Sequence, residues 1–244
     1  MLVSFPFFWT KVARNPDKWT SGSLSKFQMK PDDVSSKMLR RLIILLLCVF
    51  NWRLFRIIAK KKKIKTMDAL AIIDKYYPQD NELKHILLTH SRSVADKALW
   101  IADRHPELEL DRTFLEEAAL LHDIGVFLTD APGIYCYGTH PYICHGYLGS
   151  QLLKEEGYMR HALVCERHTG AGLSLQGILE QNLPVPHREM VPISLEEQVI
   201  CFADKFFSKT HLDREKSVEK ALKSISKYGE EGVLRFNNWC ERFL

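Results

Sequence analysis

No two of the six cysteines, Cys48, Cys136, Cys144, Cys165, Cys201 and Cys240, stand at a metal-finger spacing, and nothing in their placement marks a disulfide scaffold. Most sit beside apolar residues, where a reduced thiol packs as a small hydrophobe, so the expected setting is a reducing, cytoplasmic one. No stretch sustains apolar and polar alternation at period two and there is no internal repeat, which leaves an all-helical domain as the expected fold class. No Gly-x-Ser-x-Gly turn occurs, which weakens a serine nucleophile, and Cys144 beside His145 reads as a core residue rather than a thiolate. Nor is there a clean membrane span. The longest apolar run, Leu42 to Phe50, has nine residues, whereas a spanning helix needs about 20. Its continuation carries Arg53 and Arg56, basic runs flank both ends, and no small-residue cleavage site follows.

What the chain does have is length and apolar content. Its 244 residues are 46% hydrophobic, enough for one domain to bury its own core. The formal charge of +4 is unevenly spread. Residues 1–66 hold 15 Lys and Arg against 3 Asp and Glu, a net of +12, which leaves 19 against 27 and −8 for residues 67–244. An acidic main domain argues against nucleic acid as a partner and leaves small anionic substrates, met through a bound cation. The basic, partly apolar segment 1–66 reads either as a membrane-associated extension, touching a membrane only through residues 38–63, or as an upstream extension absent from the native product. The well-patterned domain is expected over 67–244.

Within it, Leu83, Leu87, Val94, Ala98 and Ile101 recur at steps of three, four or seven from Glu82 to Arg104, an amphipathic helix with His90 on its apolar stripe. Thr113-Phe114-Leu115-Glu116 reads as a capping box opening a second helix whose inward face, Leu115, Ala118, Ala119 and His122, is stopped by Gly125. A third is expected from about Pro141 to Glu156, with His145 inward and Gly157 closing it, and a fourth from about Met159 to just past His168. Thr169 to Pro192 reads as a long irregular loop, Ser194-Leu195-Glu196-Glu197 as another capping box, and two shorter helical patterns near Ser217–Lys227 and Val233–Phe243 finish the chain.

Four histidines and two aspartates, His90, His122, Asp123, His145, His168 and Asp204, therefore stand at inward or terminal positions on five separate helices. One such histidine alone is ordinarily a satisfied core residue. The aspartates are harder to dismiss. Asp123 lies at a helix C-terminal end, where the macrodipole disfavours negative charge, and Asp204 lies among Ile200, Cys201, Phe202, Ala203, Phe206 and Phe207, where a carboxylate must be paired or bound to a cation. Imidazole and carboxylate together suit divalent transition ions, and six ligands exceed what one tetrahedral ion requires but suit two ions with room for water.

Leu120-Leu121-His122-Asp123-Ile124-Gly125, with Thr89-His90-Ser91 before it and Glu166-Arg167-His168-Thr169-Gly170 and Ala203-Asp204-Lys205 after it, resembles the HD superfamily of metal-dependent phosphohydrolases over about residues 82–210. The resemblance implies a helical bundle that binds one or two divalent ions (Fe, Mn, Co, Ni or Zn) and cleaves phosphate esters or anhydrides, often of nucleotides. His90, His122, Asp123 and Asp204 match the family's signature ligands. His145 and His168 match the extra histidines of its two-metal branches, in which Asp123 would bridge. The Gly-Tyr-Pro element and paired adjacent histidines of the cyclic-dinucleotide branch are absent.

The expected function is hydrolysis of a small phosphorylated substrate, a nucleotide, with Asp123 and Lys205 in catalytic roles. Arg92 is a lesser candidate for phosphate contact, Thr169 for the entrance, and His140 or His187 for the leaving-group acid. The alternative is a non-catalytic sensor of nucleotide or redox state built on the same metal centre. The chain's oligomeric state is left open, a homodimer included.

Overall fold

Most helices begin where a short polar side chain accepts the amide hydrogens that no earlier carbonyl can reach, and each such cap is worth about 1 kcal/mol. In the computed structural model, which describes residues 67–244, Asp68 caps α1 (Ala69–Tyr76), Asn81 caps α2 (Glu82–Arg104) and Asp111 caps α3 (Arg112–Leu121). Helices α4 (His145–Glu155) and α5 (Met159–Arg167) start without a side-chain cap. Ser174, Ser194 and Ser217 cap α6 (Leu175–Glu180), α7 (Leu195–Asp204) and α8 (Val218–Ile225), and α9 (Glu230–Phe243) closes the chain. The extension 1–66, with its apolar run, flanking lysines and Cys48, lies outside the described residues. Among the described residues no helix is long and apolar enough to cross a membrane.

The long helix α2 is the spine. Its stripe of Leu87, His90, Val94, Ala98 and Ile101 is buried along its length, packed against α3 on one side and α7 on the other. The largest buried cluster gathers α2, α3, α7, α8 and α9 around Phe202, Phe236 and Phe243, all fully buried. A second cluster holds Ile73 of α1, Leu121 and Ile124 at the end of α3, and Leu153 and Cys165 of the packed pair α4 and α5. The fold is thus all-helical as expected. A small sheet supplements it: β1 (Thr129–Ala131) lies between β2 (Cys136–Tyr137), antiparallel with Ala131 opposite Cys136, and β3 (His140–Pro141), parallel with Thr129 opposite His140. Strands of two or three residues are too short to show alternation in a sequence.

Several local expectations are corrected. The cap of α3 is Asp111, whose carboxylate accepts from Phe114 N at 3.1 Å; the Thr113 box loses because Asp111, two residues earlier, already meets the free amides and leaves Thr113 inside the first turn. Helix α4 begins at His145, not near Pro141, because Pro141 belongs to β3 and 142–144 form a 3-10 turn. The stretch 169–192 is not wholly irregular, since it contains α6. Helix α1, a short amphipathic element ahead of α2, was not expected at all. Gly125 does not end α3 through a left-handed turn, for its φ is −86°. It is needed for close approach: a Cβ there would lie 2.4 Å from Gly149 N and from His145 O, so any side chain would push the His122-Asp123 segment away from α4. Gly157 does close α4, with φ +86° and a bond from Tyr158 N to Leu153 O.

Candidate metal centre

Five helices converge on Asp123, four of them by their ends. His90 comes from the middle of α2, His122 is the residue that ends α3, and Asp123 follows it; His145 opens α4, His168 ends α5 and Asp204 is the last residue of α7. Ion pairs lock these ends together. Buried Glu166 on α5 accepts from Ser150 and Lys154 on α4, and Arg167 bonds Glu197 on α7 at 2.8 Å. All six side chains proposed from the sequence are buried.

Asp123 divides them into two groups. Its Oδ2 lies 3.1 Å from His90 Nε2 and 2.9 Å from His122 Nε2, and Asp204 Oδ1 completes this group 3.0 Å from His90 Nε2. Its Oδ1 lies 3.3 Å from His145 Nε2 and 3.4 Å from His168 Nε2, which are 3.0 Å from each other. Both carboxylate oxygens are nonetheless buried without an aligned hydrogen bond. A fully buried carboxylate in that state is costly unless something else meets its charge.

The tautomers indicate what does. His122 Nδ1 lies 2.6 Å from Ala119 O, His145 Nδ1 2.7 Å from Tyr142 O and His168 Nδ1 2.8 Å from Cys165 O. In each case the acceptor is the carbonyl three residues earlier, exposed where a helix or 3-10 turn ends. A carbonyl accepts only from N–H, so each Nδ1 carries a proton and each Nε2 is the atom turned toward Asp123, with its lone pair free in the neutral rings of His145 and His168 and in His122 once its second proton leaves. That is how metal-binding imidazoles are held. The donor set, lone pairs of nitrogen and oxygen with no hydrogens between them, fits divalent cations in two groups that share Asp123: His90, His122, Asp123 and Asp204, and Asp123, His145 and His168.

The electrostatics agree. Burial works against charge on His122, but the carboxylates of Asp123 and Asp204 outweigh it and hold the ring up to about 9, so in the cation-free chain a proton balances the carboxylates. Burial, helped by the charges of His168 and Lys209, pushes His145 down to about 3 against the pull of Asp123, and burial and the charge of His122 lower His168. Although burial opposes it, the charges of His122 and Lys209 hold Asp123 well below the usual carboxylate range. A cation held by His122 would take the place of that proton, and binding to the folded chain alone would stabilise it by mass action. At a free metal concentration of 100 Kd this amounts to about 2.7 kcal/mol. Melting curves with and without a chelator are expected to differ by about 5–10 °C, the metal-loaded protein being the more stable; superimposable curves would count against a metal centre.

Next to this cluster lies a cavity of about 410 Å³, within the range of small-molecule sites. His145, His168 and Asp204 open into it, with Thr169, Tyr142 and Lys205, as does a residue that the sequence alone did not single out, Lys209. Lys209 Nζ lies 2.6 Å from Asp123 Oδ2, and Lys205 Nζ lies 2.6 Å from Asp204 Oδ2 while donating to His168 O at 3.0 Å. The one sequence signal for Lys209 was its spacing of four from Lys205. Tyr142 was also missed; its ring stacks on His145 at 4.7 Å and burial raises its phenol pKa. Arg92 is a half-exposed helix residue paired with Glu116 and does not face the cavity. His140 and His187 are exposed and do not line it either, so the loops that carry them do not bring them to the site. Cys144 is core, with its thiol 3.1 Å from Pro184 O.

A helical bundle in which five helices deliver four histidines and two aspartates to one buried point defines a class of metal-binding domain. The family model described as HD domain matches residues 87–208, half of the chain, and the chain belongs to that family, which places it in the superfamily of metal-dependent phosphohydrolases. An uncharacterized protein of Methanocaldococcus jannaschii is 30% identical over 145 residues, which cover 58% of this chain and 78% of that protein. Two proteins named tRNA (cytidine(56)-2'-O)-methyltransferase also match. The one from Picrophilus torridus is 31% identical over 55% of this chain, and the one from Thermoplasma volcanium is 28% identical over 75% of it. The matches span only 38% and 48% of those two enzymes. No solved structure matches the chain.

Proposed function

We propose that this chain hydrolyses a phosphate ester or anhydride of a small phosphorylated substrate, a nucleotide, at the centre built on Asp123. The observation that carries the reading is the split of Asp123 between two histidine pairs beside a cavity lined by lysines. When bound, one or two divalent transition ions (Fe, Mn, Co, Ni or Zn) supply polarisation of the phosphoryl group and a water whose pKa is lowered toward about 7.

The protein's own part is positional and electrostatic. The Nδ1 bonds to backbone carbonyls fix three imidazoles before substrate arrives, so no reorganisation is needed at the moment of reaction. Lys205 and Lys209, held against Asp204 and Asp123, set positive charge at the cavity wall where phosphoryl oxygens lie. Thr169, buried, also lines the cavity. Tyr142 keeps its phenolic proton at neutral pH because burial raises its pKa, and it faces the same cavity as a donor to a leaving group. The free, buried thiols of Cys136, Cys144, Cys165 and Cys201 support a reducing, cytoplasmic setting.

Phosphate release from a panel of nucleotides, with manganese, iron, cobalt or nickel supplied, tests the reading. Release that depends on metal is expected for at least one substrate. Binding without release under every metal would make the chain a sensor instead.

A further inference from the structure

Four lysines, Lys205, Lys209, Lys216 and Lys227, line one cavity, and their charges are not balanced alike. Lys205 is paired with Asp204 and Lys209 with Asp123. Among the described residues Lys216 has no carboxylate within ion-pair distance, and its ammonium donates to Phe207 O at 3.2 Å. It is half-buried, and burial together with the neighbouring lysines holds its pKa below the usual lysine range despite Asp204. Lys227 also lacks a carboxylate partner among the described residues and lies over the ring of Tyr228, 4.8 Å from its centroid, in the lining of the same cavity. Elsewhere on this acidic domain Lys75, Lys84, Lys97 and Lys154 pair with carboxylates, whereas among the described residues Lys220 and Lys223 do not. Two unmatched ammonium groups in one wall of a domain with a net charge of −8 are therefore a local inversion of sign. Any divalent cation that takes up Asp123 and Asp204 enlarges the surplus, because it removes the partners of Lys205 and Lys209 as well.

A single phosphoryl group at the metal centre cannot answer that surplus. We infer that Lys216 and Lys227 form a second anion subsite, and that the substrate class is a compound carrying at least one further phosphate beyond the one attacked. This rests on the phosphohydrolase reading for which phosphate is cleaved, but not for the subsite itself, whose recognition is a matter of charge alone. The lysines act there as point charges that tolerate several phosphate geometries, and the ring of Tyr228 keeps Lys227 against the wall. Lys227 is exposed, so its substitution leaves the core untouched.

Calorimetric titration of the full chain decides the matter, with manganese in excess so that the ligand does not strip it, and with inorganic phosphate and inorganic diphosphate as probes. The wild-type protein is expected to bind diphosphate at least about tenfold more tightly than phosphate, as two added charge-assisted contacts allow. In Lys227→Ala the preference shrinks, and in Lys216→Ala with Lys227→Ala it falls to within about twofold, whereas Lys216→Arg retains it. A wild-type protein without preference, or a double variant that keeps it, overturns the subsite. The outcome is separable from the hydrolase reading. Absence of phosphate release from every nucleotide would sink hydrolysis while the titration still judges the subsite. Equal KM values for mono- and diphosphorylated nucleotides in the wild type would sink the subsite while hydrolysis stands.

Discussion

Asp123→Ala is expected to lose at least nine-tenths of the metal retained after dialysis and about a thousandfold in hydrolysis, with the far-UV circular dichroism of a helical protein preserved. The size follows from the place of the residue. Its two oxygens are the point shared by both donor groups, so removing one side chain dismantles both, whereas loss of His145 or His168 alone leaves the group of His90, His122 and Asp204 intact. Removing the carboxylate also strands the ammonium of Lys209, which would be costly if fully buried. That side chain lines the cavity and can turn toward water, so the fold survives. Asp123→Asn, which keeps the volume, controls for packing and is expected to behave like the alanine variant. Metal content by mass spectrometry and phosphate release with metal supplied are the two readouts. Full hydrolysis by either variant refutes the role given to Asp123.

Phe202→Ala is expected to cost about 3–5 kcal/mol of stability, read from chemical denaturation, and to lower the melting temperature by on the order of 10 °C. Phe202 is fully buried on α7, with Phe206, Phe236 and Phe243 at centroid distances of 5.0, 5.1 and 5.5 Å. Truncating it opens a cavity that α7, α9 and α2 must share, and edge-to-face contacts worth about 0.5–1.5 kcal/mol each are lost with it. The residue lies two positions before Asp204 on the same helix. The aromatic cluster therefore also holds the carboxylate end of α7 against α2, and core and site are stabilised by the same packing. A loss below about 1 kcal/mol would mean that Phe236 and Phe243 close over the gap.

Amino-acid order alone determined the helical class, both ends of α2 and the start of α7, and it singled out the six side chains that the fold gathers around Asp123. The physical reason is that these are local properties. A period near 3.6 marks the buried stripe of α2, Ser194 and Asn81 cap within three residues, and a histidine or aspartate on an apolar face is conspicuous wherever the chain later carries it. Tertiary structure decided the rest, because it depends on contacts between distant segments. Only packing shows that Asp123 turns one oxygen to each histidine pair, or that Gly125 is there so that α4 can approach. The local sign of charge depends on such contacts too. An acidic composition hid a cavity whose lysines, 205, 209, 216 and 227, come together only after α7, the following loop and α8 have closed around the site. Net charge adds over a sequence regardless of position, but a ligand meets the field of the groups that surround it.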